Sequence, residues 1–221
     1  GEVEASLQKV KNALRAAEVY GADAVLVVPC RIGGMKMPAP SEFDVVFDPD
    51  TLHLERVVSG DNEPYTQYIE AHNEATDRSR EAIERLIPAA RNRGVVIALE
   101  NVWNNLWVTP ELFAAYVDSF DSEWVRAYFD IGNHVKYGDP TEYIRALGPL
   151  IEKVHVKDFK LDPGGEGGKF VPLGEGSVDY PAVMQALEEV GYDGFMTIEG
   201  RRGLTLSQLS GRLDTILARE R

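Results

Sequence analysis

Five short runs of apolar, largely β-branched and aromatic residues recur along the chain, with helical patterns between them. They cover residues 24–29 (AVLVVP), 95–100 (VVIALE), 125–130 (VRAYFD), 154–157 (VHVK, with a start as early as Ile151) and 195–199 (FMTIE). Continuous apolar character, in place of alternation, is the mark of strands buried on both faces. The intervening patterns have helical spacing. Glu2–Tyr20 carries Val3, Leu7, Val10, Leu14 and Ala17 on one stripe. Residues 65–93 hold one long helix or two. Thr109-Pro110 and Asp139-Pro140 each set a capping side chain before a first-turn proline. Helical patterns over 179–190 and 204–219 complete the series. Strand and helix therefore alternate, which predicts an α/β fold of parallel strands joined by right-handed crossovers.

The rhythm breaks at 33–64. There, 43–47 and 52–58 flank Asp48-Pro49-Asp50, a hairpin signature. This excursion after the first strand is expected to be a lid, an oligomer contact or a plain surface hairpin. No linker or low-complexity tract divides the chain, so residues 1–221 are read as one domain. With 221 residues, 44% hydrophobic and 27% charged, it can bury a large core. No run reaches the roughly 18 apolar residues of a membrane span, and the acidic, polar start at Gly1-Glu2-Val3-Glu4 is unlike a signal peptide. The single cysteine, Cys30, fits a reducing, cytoplasmic setting and reads as a small buried residue at a strand end. A formal charge of −13 without a basic stripe argues against nucleic acid as a partner.

More is encoded in where the apolar runs stop. Three of them close on a carboxylate: Glu100, Asp130 and Glu199. His155 sits between Val154 and Val156 in a fourth. In a parallel barrel the C-terminal strand ends share one mouth, so these four side chains would meet there. Grouped carboxylates losing hydration need protons, cationic partners or a metal. Carboxylate oxygens with one imidazole suit Mn, Mg, Co or Zn. Singly, each residue has a plain alternative as a helix cap or a core histidine. Four matching residue types on four successive strand ends favour a shared metal.

The phrases around them are Ala98-Leu99-Glu100-Asn101, Tyr128-Phe129-Asp130-Ile131-Gly132-Asn133, Val154-His155-Val156-Lys157-Asp158, Pro172-Leu173-Gly174-Glu175-Gly176 and Thr197-Ile198-Glu199. In this order they resemble the sugar-phosphate isomerase/epimerase family, a xylose-isomerase-like TIM-barrel group that includes L-xylulose-5-phosphate 3-epimerase, D-tagatose 3-epimerase and hydroxypyruvate isomerase. The resemblance implies one divalent metal ion held by Glu100, Asp130, His155 and Glu199, with Glu100 and Glu199 as the catalytic acid/base pair. In that chemistry the metal acidifies a C–H between carbonyl and hydroxyl and stabilises an enediolate. One glutamate removes the proton and the other returns it.

Some members place a substrate-binding histidine three residues after the Asp ligand. Here that position is Asn133, with His134 next to it, either a substrate contact or a surface loop residue. Lys157 shares a strand face with His155 and could bind a substrate oxygen or pair with a ligand carboxylate. Trp103 and Trp107 could wall a sugar or simply pack their loop. Phosphate partners could come from 164–168 with Lys169, from Gly174-Glu175-Gly176, or from Arg201 and Arg202. His53 and His72 read as hairpin and helix-face residues. Four histidines and a negative charge do not fit the histidine-rich trinuclear zinc site of the superfamily's DNA-repair endonucleases.

A closed barrel of this type has eight strands, and about five parallel strands are legible here. The resemblance makes the first of these the fourth family strand. The expectation is therefore a barrel incomplete at its N-terminus, closed by association with another chain, most simply as a homo-oligomer. The function expected is a metal-dependent epimerase or isomerase of a small-molecule sugar or sugar phosphate. An inosose-dehydratase-like lyase and a non-catalytic partial barrel that binds a sugar or a partner are the alternatives. No membrane partner is expected.

Overall fold

The computed structural model describes residues 1–165, 167–200 and 203–219. In chain order the elements are α1 (Glu2–Tyr20), β1 (Ala24–Val27), β2 (Val46–Phe47), β3 (Leu54–Arg56), α2 (Thr66–Glu84), α3 (Ile87–Arg91), β4 (Val96–Glu100), α4 (Pro110–Asp118), β5 (Val125–Asp130), α5 (Pro140–Leu147), β6 (Ile151–Val156), β7 (Asp158–Leu161), β8 (Gly168–Val171), α6 (Tyr180–Glu189), β9 (Met196–Ile198) and α7 (Leu206–Leu217). The main sheet has the order β1-β4-β5-β6-β9. All four of its pairings are parallel. It forms an open half-barrel with helices on its outer side.

Strand periodicity sorts the side chains. Ile97 and Leu99 of β4, Ala127 and Phe129 of β5, and Val154 and Val156 of β6 join the main apolar core with Phe113, Tyr116, Tyr143, Ile144 and Val183 of the helices. Each fully buried Leu, Ile, Val or Phe in such a core contributes about 1.5–3 kcal/mol. The alternate positions, Glu100, Asp130 and His155, turn to the concave side. Register aligns two of them directly, since Asp130 pairs with His155. At the sheet's two edges Leu26, Val28 and Phe195 are exposed. Among the described residues, no helix is long and apolar enough to cross a membrane.

The capping signals act as the sequence predicts. Thr109 accepts a hydrogen bond from the Leu112 N–H, and Asp139 accepts one from the Thr141 N–H at 2.8 Å. The 65–93 segment holds two α-helices, with Pro88 in the first turn of α3. The 33–64 excursion contains the expected antiparallel β2–β3 hairpin. Its turn is tied by Asp48 Oδ1, which accepts from the N–H groups of Asp50 and Thr51. This segment is not a detached surface hairpin. Leu54 and Val57 are buried with Tyr68 and Leu112 in a second apolar cluster, flanked by Phe43 and Phe47. A second hairpin, β7–β8, stands where the sequence suggested only a glycine-rich loop.

Candidate metal centre

The end of β4 is stitched to the end of β5 by a side chain that imitates a peptide. Asn101 Nδ2 donates to the Asp130 carbonyl oxygen at 2.9 Å, and the Asp130 N–H donates to Asn101 Oδ1 at 2.6 Å. The pairing of β4 with β5 thus extends one residue beyond the strand. Asn133 Nδ2 then donates to the Asn101 carbonyl at 3.0 Å. After β5 the chain turns hard against β6: a Cβ at Gly132 would lie 2.6 Å from the Lys157 carbonyl oxygen. The N–H groups of Gly132 and Asn133 fold back onto Asp130 Oδ1 at 2.9 and 2.8 Å. On the far side, the Glu199 N–H donates to the Val156 carbonyl at 3.0 Å.

These constraints bring one donor atom each from Glu100, Asp130, His155 and Glu199 within 4.8 Å of one another. His155 Nδ1 lies 2.8 Å from Glu100 Oε1, 3.8 Å from Asp130 Oδ2 and 3.9 Å from Glu199 Oε2. The Tyr128 ring packs beside the imidazole, centroids 4.2 Å apart. Lys157 Nζ is hydrogen-bonded to Glu199, donates to Asn133 Oδ1 at 3.1 Å and stands 3.6 Å from Asp130 Oδ2.

Asp130 is fully buried, and the two oxygens of its carboxylate differ. Oδ1 takes two backbone hydrogen bonds, while Oδ2 is buried with no hydrogen-bond partner. Burial, reinforced by the adjacent Glu199 carboxylate, pushes Asp130 well above the usual carboxylate range, and Lys157 offsets only part of this. Glu199 moves the other way. Burial raises it, but the neighbouring Asp130 carboxyl and the hydrogen bond and charge of Lys157 prevail and hold it below its ordinary value. A buried carboxylate oxygen without a partner is costly unless a proton or cation meets it. The orphaned Oδ2, two further carboxylates and one imidazole form a donor set that fits a single divalent ion.

Aromatic rings border the centre. Trp103 Nε1 donates to the Asn133 carbonyl at 2.5 Å. Its ring stacks on Phe170 of β8 at 5.1 Å and meets Phe159 of β7 edge-on at 5.7 Å. Lys136 Nζ lies 4.0 Å from the Trp103 ring centre.

Residues 1–210 match the xylose isomerase-like TIM barrel family. The chain belongs to that family. It is 31% identical over 133 residues to the uncharacterized protein MJ1311 of Methanocaldococcus jannaschii, covering 58% of this chain and 45% of that one. It is 32% identical over 134 residues to L-ribulose-5-phosphate 3-epimerase UlaE of Escherichia coli strain K12, covering 60% and 45%. The chain thus spans about half the length of the curated relatives it matches. Among solved structures, a D-tagatose 3-epimerase-like protein superposes with a TM-score of 0.71 at 21% identity, over 98% of this chain and 69% of that one. The IOLI protein with a binding zinc atom gives 0.70 at 19% identity, over 96% and 68%. A xylose isomerase-like TIM barrel protein from Mycobacterium smegmatis in complex with magnesium gives 0.65 at 20%, over 98% and 68%.

Of the residues singled out in the sequence of this xylose isomerase-like chain, Glu100, Asp130, His155, Glu199, Lys157, Asn133 and Trp103 are linked around one centre. Others lie elsewhere. Trp107 is buried in the helical core, stacked on Phe113 at 5.0 Å. His134 is neither a surface loop residue nor presented to the mouth. It is buried with its ring against Tyr137 and Tyr143 and Nε2 3.3 Å from the Val102 carbonyl, and burial lowers its pKa to about 4. His72 is on a helix as expected but buried, with Nε2 3.0 Å from the Leu106 carbonyl. The N–H groups of Gly174 and Gly176 are not open to a phosphate, because both donate to Asp158 Oδ2, at 2.9 and 2.8 Å. Arg201 and Arg202 lie outside the described residues. Phe159 and Phe170 escaped the sequence reading. The signal for them was the alternation Asp158-Phe159-Lys160-Leu161 followed by a turn at Asp162-Pro163-Gly164-Gly165.

Proposed function

We propose that the protein is a divalent-metal-dependent epimerase or isomerase acting on a ketose or ketose phosphate. The observation that carries this reading is the placement of two glutamates, Glu100 and Glu199, within one small donor cluster. They come from β4 and from the end of β9, the strands that flank those of Asp130 and His155. A divalent ion at this site would be held by Glu100, Asp130, His155 and Glu199 and would supply Lewis acidity toward the adjacent carbonyl and hydroxyl oxygens of a ketose.

The protein's own groups do the proton work. One glutamate accepts the proton from the hydroxyl-bearing carbon next to the carbonyl. The other donates a proton to the opposite face of that carbon in an epimerase; in an isomerase the former carbonyl carbon takes the proton while the hydroxyl proton passes to the former carbonyl oxygen, leaving a new carbonyl. Lys157, beside Glu199 and Asp130, holds positive charge next to the developing oxyanion and keeps Glu199 ionised and ready to accept. Asn133 and Lys157 offer hydrogen bonds to sugar hydroxyls, and Trp103 offers an apolar face. The relatives named L-ribulose-5-phosphate 3-epimerase support a ketose phosphate among the candidate substrates.

Metal analysis and solvent exchange test the proposal together. Wild-type protein is expected to hold one divalent ion per chain and to move deuterium from solvent into a ketose C–H. Glu100→Gln and Glu199→Gln are expected to lose most of the metal, and turnover is expected to fall by about 10²–10⁴. Wild-type protein that binds no divalent ion, or binds it yet exchanges no proton with any ketose or ketose phosphate, would sink the reading.

A further inference from the structure

We infer that Lys136, standing on the Trp103–Phe170 ring pair, forms an anion subsite beside the metal centre that takes the terminal phosphoryl group of a ketose phosphate. The sugar in this statement rests on the functional reading above; the anion rests on the geometry.

Four groups are linked in sequence by contact. Lys136 Nζ is 4.0 Å from the centre of the Trp103 ring, Trp103 stacks on Phe170 at 5.1 Å with an interplanar angle of 28°, and Lys157 Nζ is 4.5 Å from the centre of the Phe170 ring. Two stacked rings therefore join two ammonium groups, one at the centre and one beside it. The inner ammonium is committed to Glu199 and Asn133. The outer one is different. Among the described residues, the half-buried Lys153 and Lys157 each pair with a carboxylate, and Lys136 pairs with none.

Among the described residues, what faces Lys136 is aromatic or neutral. Tyr137 presents its ring at 4.6 Å, and His134 beneath is kept uncharged by burial. Burial lowers the Lys136 ammonium from its ordinary value, and among the described residues no acidic neighbour raises it. Ring faces stabilise such a cation only modestly, so its charge is left available to an incoming anion. The ring pair is also held in register with the metal ligands. Trp103 is fixed through its indole N–H to Asn133, and Asn133 through its own N–H to Asp130. Preorganisation of this kind is what gives a single charge–charge contact its value in binding.

Two measurements test the subsite, one of them independent of turnover. Inorganic phosphate titrated into the purified protein is expected to change the emission of Trp103, with the change absent in Lys136→Met and in Trp103→Phe and retained in Lys136→Arg. In solvent-exchange assays, the ratio of kcat/KM for a ketose 5-phosphate to that for the same unphosphorylated ketose is expected to drop about tenfold or more in Lys136→Met. Lys136→Arg is expected to restore most of that ratio. A phosphate response that persists in Lys136→Met, or a substrate ratio the variant leaves unaltered, overturns the subsite while the functional reading stands. Exchange with neither substrate, alongside a Lys136-dependent phosphate response, overturns the functional reading and leaves the anion subsite in place.

Discussion

A methyl group at position 132 has nowhere to go, because the Lys157 carbonyl oxygen and carbon lie 2.6 and 2.9 Å from where it would sit. Gly132→Ala must push the turn after β5 away from β6, and that turn carries the two N–H groups that fix Asp130. The expected loss is about 1–3 kcal/mol of stability, with weakened metal binding, read by urea denaturation and metal titration. A variant matching wild type in both would show that the turn yields freely. The candidate ligands were legible in the sequence because each carboxylate abruptly closes an apolar run. His134, His72 and Trp107 were not. Sequence places a residue on a loop or a helix, but what covers it depends on neighbours distant in the chain, such as Tyr143 over His134 and Phe113 over Trp107.

Helix α5 is short, and it depends on its cap. Asp139 takes the Thr141 N–H, and the helix then buries Tyr143, Ile144 and Leu147 against the sheet. Asp139→Ala is expected to cost about 1 kcal/mol, seen as a lower denaturation midpoint without change in slope. A cost near zero would mean that packing alone sets the start of the helix. The five parallel strands, most helices and the first hairpin could be read from local pattern because period, cap and turn residues agree there. The β7–β8 hairpin could not. Only Lys157 separates β6 from β7, so the alternating pattern runs on without a break, and the tight turn at 162–165 resembles any glycine-rich loop. That element brings Phe159 and Phe170 to the centre, so the omission hid part of the site.

At the scale of the molecule, acid is expected to loosen the fold through two buried imidazoles. His72 and His134 both have folded pKa values of about 4 against an ordinary 6.5. Between those values the unfolded chain binds more protons than the folded one. Stability fully present above pH 6.5 is therefore lost as pH falls through about 4, on the order of 3 kcal/mol for each histidine. The Asp130 carboxyl, raised in the folded state, acts in the opposite sense. Repeating the denaturation series from about pH 7 to about pH 4 in Asp130→Asn separates the two. A stability that stays flat in that variant would contradict the burial of the imidazoles as the controlling factor.

Strand register also bears on the order in which the centre assembles. Ala24 of β1 pairs with Val96 of β4, the longest separation along the chain of any neighbouring strands, whereas Glu100 pairs with Tyr128 and Asp130 with His155 across much shorter connections. Loop closure grows costlier with length, and non-local pairings slow folding. The three central strands can thus zip together first, carrying Glu100, Asp130 and His155 with them. Glu199 arrives with β9, after the longer crossover through the second hairpin and α6. A nascent chain would thus hold three of the four side chains of the candidate metal centre before its sheet is complete, so any ion they bound at that stage would be in place to meet the last strand.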